Sequence, residues 1–289
     1  MEKLIITAAL SGTSTSKEKA PSVPYHAEEI AEQVVAVAHA GASIVHIHVR
    51  DDDGFATMRT EKFEEAFSAI KRAVKKAGTD IIINLTTSGS VVLEPNSVRL
   101  AHLKKLRPEM CSFDAGSFNW NCGGVFVNAP DFLEQLSACA VEYDIKPEME
   151  IFDSGMLGNA LYYIEKYGIP TPCHFQFVLG VGGAAAGNTK NLVYLKEMLP
   201  PGSTWSVTGI GRSHMDMMLA GLSMGCTGLR VGLEDNLYLA RGKKATNVEL
   251  VNRAAALARL AGREIASAQE AREILGIRRN ALAEFTEQN

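Results

Sequence analysis

The chain has 289 residues, 46% hydrophobic and 21% charged, with a formal net charge of −4. That composition fits a soluble protein with a substantial core, in one large domain or two small ones. It offers no basic footprint for nucleic acid, no run near the about 18 apolar residues of a membrane span and no signal-peptide core, so a cytoplasmic protein is expected.

Short apolar runs alternate with helical patterns along the whole chain. Residues 4–10 read as the first strand, and 27–39 as a helix stopping at Gly41. Residues 43–50 read as the second strand. Its helix opens with Thr60 as N-cap and runs through Phe63, Phe67, Ile70 and Val74 to Gly78. Strand three covers 80–86 with a helix over 97–105, and strand four covers 110–115 with a helix over 131–143. Strand five is 148–152, then a helix over 157–167; strand six is 174–179, then a helix over 191–199. Strand seven is 205–209, then a helix over 214–224; strand eight is 229–233, then a helix over 248–260. A short helix over 268–275 follows.

Eight strand–helix units in this length predict one α/β domain over 1–289, a (β/α)8 barrel with a short C-terminal helical extension, a fold of typically about 250 residues. A doubly wound open sheet would show a nucleotide fingerprint after its first strand, and Ser11-Gly12-Thr13-Ser14 is not one. Cys111, Cys122, Cys139, Cys173 and Cys226 are odd in number and share no CxxC spacing, so free thiols in a reducing cytosol are expected.

The second strand is the most informative. Side chains on a strand alternate, so His46, His48 and Arg50 share one face and Val45, Ile47 and Val49 the other. Imidazoles at i and i+2 lie roughly 6.5–7 Å apart at Cα, within reach of one divalent ion. Asp51-Asp52-Asp53-Gly54 then makes an acidic turn. In a barrel of this kind the active site sits at the C-terminal ends of the strands. Polar residues collect there: Thr86, Thr87 and Ser88 on strand three, Ser112, Asp114 and Ser117 on strand four, Arg230, Glu234, Asp235 and Asn236 on strand eight.

Glu148 and Glu150 alternate with Met149 and Ile151, which aims both carboxylates at the barrel axis, where they need a cation or a shared proton. Arg230 or Arg50 could pair with one of them. Glu234 is the natural third metal ligand beside His46 and His48, with Asp235 or Asp51 as alternatives. Two histidines and a carboxylate suit an open catalytic zinc site, and equally a non-haem iron triad. Gly182 and Gly183 after strand six, with Gly211 and Arg212 after strand seven, suit close approach of a phosphorylated or CoA-type ligand. His26 and His39 read as surface residues, His102 as a residue of an outer helix and His174 as structural. His214 is close enough to Arg212 to touch a ligand.

These residues carry a resemblance. Leu-Ile-Ile-Thr-Ala-Ala at the start, Gly-Ala-Ser-Ile-Val-His-Ile-His-Val-Arg-Asp-Asp-Asp-Gly, Lys-Pro-Glu-Met-Glu-Ile-Phe-Asp-Ser-Gly, Phe-Val-Leu-Gly-Val, Gly-Ile-Gly-Arg and Arg-Val-Gly-Leu-Glu-Asp-Asn stand in order along nearly the whole chain. The chain resembles the β-keto acid cleavage enzymes. The resemblance implies one zinc per chain on His46, His48 and Glu234. It further implies acetyl-CoA as co-substrate, a β-keto acid as substrate, and acetoacetate plus a new acyl-CoA as products. It places Ser14, Thr86, Ser112, Asp114, Glu150, Arg230 and Asp235 at the substrate, and Ser88 joins them from the same strand end as Thr86. Glu150 or Asp235 would be the base and Arg230 the charge-balancing group.

A homo-oligomer, a tetramer by family analogy, is also expected, with residues 118–121 as interface candidates. One member, acting on an amino-bearing substrate, has an acid where this chain has Ser14. With Lys17 and Lys19 in the same loop, a neutral or anionic acyl chain is expected here. Two other readings compete. Hydrolases of the amidohydrolase kind carry His-x-His on strand one and need further histidines on strands five and six, whereas strand five here offers Glu148 and Glu150. A catalytically silent acyl-CoA-binding barrel would bind metal and ligand without turnover.

Overall fold

The computed structural model describes residues 3–88, 94–121, 124–278 and 281. Eight parallel strands close into a barrel: β1 Ile5–Ala9, β2 Ile44–Ile47, β3 Ile82–Leu85, β4 Met110–Asp114, β5 Lys146–Ile151, β6 His174–Leu179, β7 Thr204–Gly209 and β8 Gly228–Val231. Each precedes its helix: α1 Ala27–Ala40, α2 Thr60–Ala77, α3 Asn96–Leu106, α4 Pro130–Glu142, α5 Ser154–Tyr167, α6 Thr189–Glu197, α7 His214–Ser223 and α8 Asn247–Leu260. β8 pairs with β1 and closes the ring. Among the described residues no helix is long and apolar enough to cross a membrane.

The helices form where an apolar stripe recurs every three or four residues. In α2 the stripe is Phe63, Phe67, Ile70 and Val74, all buried, and burying each phenylalanine contributes about 1.5–3 kcal/mol. Gly78 ends the helix in the left-handed region at φ 63°, where a Cβ would be strained. Its N-cap is Arg59, one residue before the expected Thr60, which instead opens the helix. A further helix, α9 Ala268–Leu275, opens with a capping box of Ser267 and Glu270. It plugs the N-terminal end of the barrel, where Ala268, Ala271 and Leu275 pack on Ile5, Ile44, Ile82 and Met110.

Among the described residues, three two-stranded ribbons rise from the other end: Val49–Arg50 with Ala56–Thr57, Phe118–Trp120 with Gly124–Phe126, and Tyr238–Ala240 with Lys243–Lys244. The first corrects the reading of strand two. The barrel strand stops at Ile47, and Val49–Arg50 belongs to a separate hairpin closed by the Asp51–Gly54 turn. Arg50 therefore does not share the pocket face of His46 and His48. Its guanidinium turns to the carbonyls of Gly12, Thr15 and Gly54.

Candidate active site

Strand register sets the inner face of the barrel. β2 places His46 beside Ala9 of β1 and Asn84 of β3. β5 places Glu148 between Ser112 and His174, and Glu150 between Asp114 and Gln176. The period of two thus stacks two polar layers inside the barrel, while Met149 and Ile151 join the apolar core around it.

In the lower layer Asn84 Nδ2 donates to Glu148 Oε2 at 2.7 Å, and His174 is held by Thr204 and Ser206 hydroxyls at 2.9 and 3.1 Å. Burial pushes the Glu148 carboxyl up to about 7 and the His174 imidazole down to about 3.

The upper layer surrounds Arg230. Its Nε and Nη2 grip the two oxygens of Asp235 at 3.0 and 3.1 Å. Nη2 also donates to Glu234 Oε1 at 2.8 Å and Nη1 to Glu150 Oε2 at 3.2 Å. Three carboxylates around one guanidinium leave two negative charges unbalanced if all are ionised. Without a further cation the site must hold protons, and burial does push Glu150 well up and Asp235 up. Asp114 is also raised by burial, against the pull of Arg99 and Arg230, and its Oδ2 is buried without a partner.

The imidazoles converge on Glu234. His46 Nε2 and His48 Nε2 are 3.0 Å apart, and they lie 3.7 and 3.4 Å from Glu234 Oε1. Tetrahedral coordination at 2.0–2.1 Å spaces ligand atoms about 3.3–3.4 Å apart, so the three edges fit a small divalent ion. Burial drives the His46 imidazole well below its ordinary value, so it presents a neutral nitrogen lone pair. Burial works against ionised Glu234, but the His48 ring and the Arg230 guanidinium beside it hold the carboxyl well below the usual range. The donor set suits zinc or another borderline ion. His46, Glu148 and Glu150 also lie close enough to one another to chelate.

The remaining expected site residues fall into four groups. Thr86 and Ser88 share a hydroxyl contact at 3.2 Å, and Ser112 Oγ accepts from the Thr87 amide at 3.0 Å, all at the same barrel mouth. Ser14 is exposed in the β1–α1 loop, where Lys17 is neutralised by Glu29 at 2.6 Å. Gly182 and Gly183 pack against the second ribbon: a Cβ on Gly183 would fall 1.6 Å from the Asn119 carbonyl oxygen, and the Asn121 amide donates to Gly182. Close chain packing accounts for these two glycines. Gly211 (φ 57°) borders open space, and Arg212 is exposed beside it.

His214 is buried with both ring nitrogens unpartnered. His102, expected on an outer helix, is fully buried; it stacks on Phe63 at 3.9 Å and its Nε2 meets the Thr86 carbonyl at 2.9 Å. Cys122 lies outside the described residues, and the other four cysteines are buried free thiols.

Sequence reading missed Asn84 and Arg99. Arg99 donates from Nε to Thr87 O at 2.9 Å and from Nη2 to Asn128 Oδ1 at 2.5 Å, over the Phe132 ring. It fastens the loop after β3 to the second ribbon. One signal was available: a cation near the N-terminus of a helix opposes the helix dipole and needs another reason to be there.

A closed parallel barrel with imidazoles, carboxylates and a guanidinium gathered at the C-terminal ends of its strands defines a (β/α)8-barrel enzyme. The profile of the beta-keto acid cleavage enzyme family matches residues 3–277. A 3-keto-5-aminohexanoate cleavage enzyme of Fusobacterium nucleatum is 41% identical over 280 residues, 96% of this chain and 100% of the relative. A 3-oxoadipate:acetyl-CoA acetyltransferase of Cupriavidus necator is 33% identical, covering 94% of each chain. A ternary complex of ObcA shares the fold, with a TM-score of 0.75 and 22% identity over 89% of this chain and 68% of that one. The chain belongs to the β-keto acid cleavage enzyme family.

Proposed function

We propose that this chain is a zinc-dependent β-keto acid cleavage enzyme that converts a β-keto acid and acetyl-CoA into acetoacetate and a new acyl-CoA. Convergence of His46 Nε2, His48 Nε2 and Glu234 Oε1 within 3.0–3.7 Å, in a member of this family, supports it most directly. Zinc on these three residues would supply Lewis-acid stabilisation of the negative charge that develops on the substrate. Arg230 would hold the substrate carboxylate or balance the same developing charge.

Glu150 and Asp235 flank Arg230, and once a bound cation balances the site's charge either carboxylate would take the acidic proton between keto and carboxylate groups. Asp235 is gripped through both oxygens, whereas Glu150 has a single contact at 3.2 Å and the freer lone pairs. The resulting carbanion attacks the acetyl thioester and expels CoA thiolate. The thiolate attacks the acyl carbonyl, the carbon–carbon bond breaks to leave the new acyl-CoA, and the released carbanion takes back the proton held by the base and leaves as acetoacetate. Thr86, Ser88, Ser112 and Asp114 would line the keto acid's side of the mouth, and Gly211 with the exposed Arg212 would meet the CoA phosphates.

The relatives' names differ in acyl group, from 3-keto-5-aminohexanoate to 3-oxoadipate. Ser14 in the β1–α1 loop supports a neutral or anionic acyl chain here. The family analogy also supports a cytosolic homo-oligomer, a tetramer, which light scattering tests.

The decisive assay incubates zinc-loaded protein with acetyl-CoA and a panel of β-keto acids, and detects acyl-CoA by mass spectrometry. A new thioester accompanied by acetoacetate is expected. Ligand binding without either product would replace the enzyme reading with the silent-barrel one.

A further inference from the structure

Arg50 is 7% exposed, yet its guanidinium lies outside the chemistry described above. Nη2 donates to the carbonyls of Gly12 and Thr15, each at 2.9 Å, and Nη1 to the carbonyl of Gly54 at 2.9 Å. The guanidinium lies over the Tyr25 ring, 4.3 Å from its centroid. All three acceptors are backbone oxygens of two loops: the β1–α1 loop and the turn of the first ribbon.

The two β1–α1 carbonyls belong to the residues by which that loop meets the end of β8. Gly12, at φ 58°, lies against the Glu234 stem so closely that a Cβ would fall 2.7 Å from Glu234 Cγ. Thr15 Oγ1 donates to the Leu233 carbonyl at 3.0 Å. Ser14 stands between these two points of contact.

We propose that Arg50 is a positioning residue: through Gly12 and Thr15 it sets the β1–α1 loop, with Ser14, against the metal-ligating Glu234. The proposal rests on the functional reading of Glu234 and Ser14 given above. Only a planar fork can span three carbonyls and stack on a ring at once; a lysine ammonium is a point donor on a flexible stem. Small errors in such a supporting shell loosen a site without unfolding its scaffold.

The test compares wild type with Arg50→Lys and Arg50→Met by zinc affinity, by KM for each substrate and by kcat. The expected result is a rise of about tenfold or more in KM for the β-keto acid, little change in KM for acetyl-CoA, and weaker zinc binding, with Lys rescuing little. Should Arg50→Met fail to fold, Tyr25→Leu removes the stacking, together with the hydroxyl's own bonds to the Thr15 carbonyl and the Lys17 amide, while keeping the Arg50 carbonyl bonds, and shifts the same constants in the same direction. Folded variants with zinc affinity and both KM values within about twofold of wild type would overturn the proposal. If wild type itself gives no acyl-CoA, the functional reading fails, while the zinc affinities still decide the role of Arg50.

Discussion

At the N-terminal end of the barrel, Arg272 of α9 donates to Glu109 at 2.5 Å and to Asp80 through two nitrogens. At the C-terminal end, Arg230 of β8 donates to Glu150, Glu234 and Asp235. Both guanidiniums are buried. At the bottom the charge is nearly matched: Asp80 is 43% exposed at its side chain, and burial lifts the Glu109 carboxyl to about 7. The bottom cluster pins a helix onto the barrel mouth it closes. At the top, three carboxylates crowd one arginine and two imidazoles aim at one of them. Burial and ion pairing alone do not mark a functional site. The mark is a surplus of negative charge with donor atoms converging at coordination distance.

The comparison breaks most sharply at its two arginines. Arg230→Met is expected to lower kcat/KM by about a thousandfold or more while unfolding stays cooperative, read by steady-state kinetics and calorimetry. Arg230→Met also strips buried carboxylates of their partner and so destabilises as well, whereas Arg272→Met should destabilise without the catalytic loss. It should cost about 3–5 kcal/mol in urea unfolding, because a buried carboxylate loses its partner, and leave kcat of the folded fraction within about twofold.

The histidines sharpen the contrast. Burial lowers His102 and His174 to about 3, so each stays neutral in the fold where the unfolded chain takes up a proton near 6.5. Between those values the unfolded state binds more protons. Stability is therefore present above pH 6.5 and lost as pH falls toward 3, by up to about 1.4 kcal/mol per pH unit for each imidazole. His102→Gln should flatten that slope in denaturation curves taken at pH 5 to 7, and an unchanged slope would remove His102 from the account.

Smallest is the loop effect. Ser14→Glu should lower KM for an amino-bearing β-keto acid by about two- to fivefold, the scale of an exposed ion pair, and raise it for an anionic one. Unchanged KM values for both would remove Ser14 as the selector.

Much of this was legible in the sequence, for reasons of period. The order of barrel strands and helices follows from apolar runs and stripes, and β6 and α9 run over the expected 174–179 and 268–275. The ribbons were not legible, because strands of two or three residues are too short to show alternation. Val49–Arg50 therefore reads as the tail of β2, and Arg50 as a neighbour of His48.

Within the site, spacing brings His46 and His48 together and aims Glu148 and Glu150 inward. The contact of Arg230 with Glu150 spans 80 residues and follows from barrel closure rather than any local pattern. The same is true of Asn84 on Glu148, 64 residues apart. Gly183 reads from sequence only as part of a small-residue loop; that the Asn119 carbonyl requires a glycine there follows from the ribbon packed against it.

The most direct test of the proposed metal-dependent cleavage site is a zinc titration. Protein stripped by a chelator is titrated with zinc while acyl-CoA formation and bound metal are followed together. Activity should rise linearly from near zero and break at one zinc per chain, and Glu234→Gln should bind weakly with no break. Full turnover by protein shown to be metal-free would contradict the account.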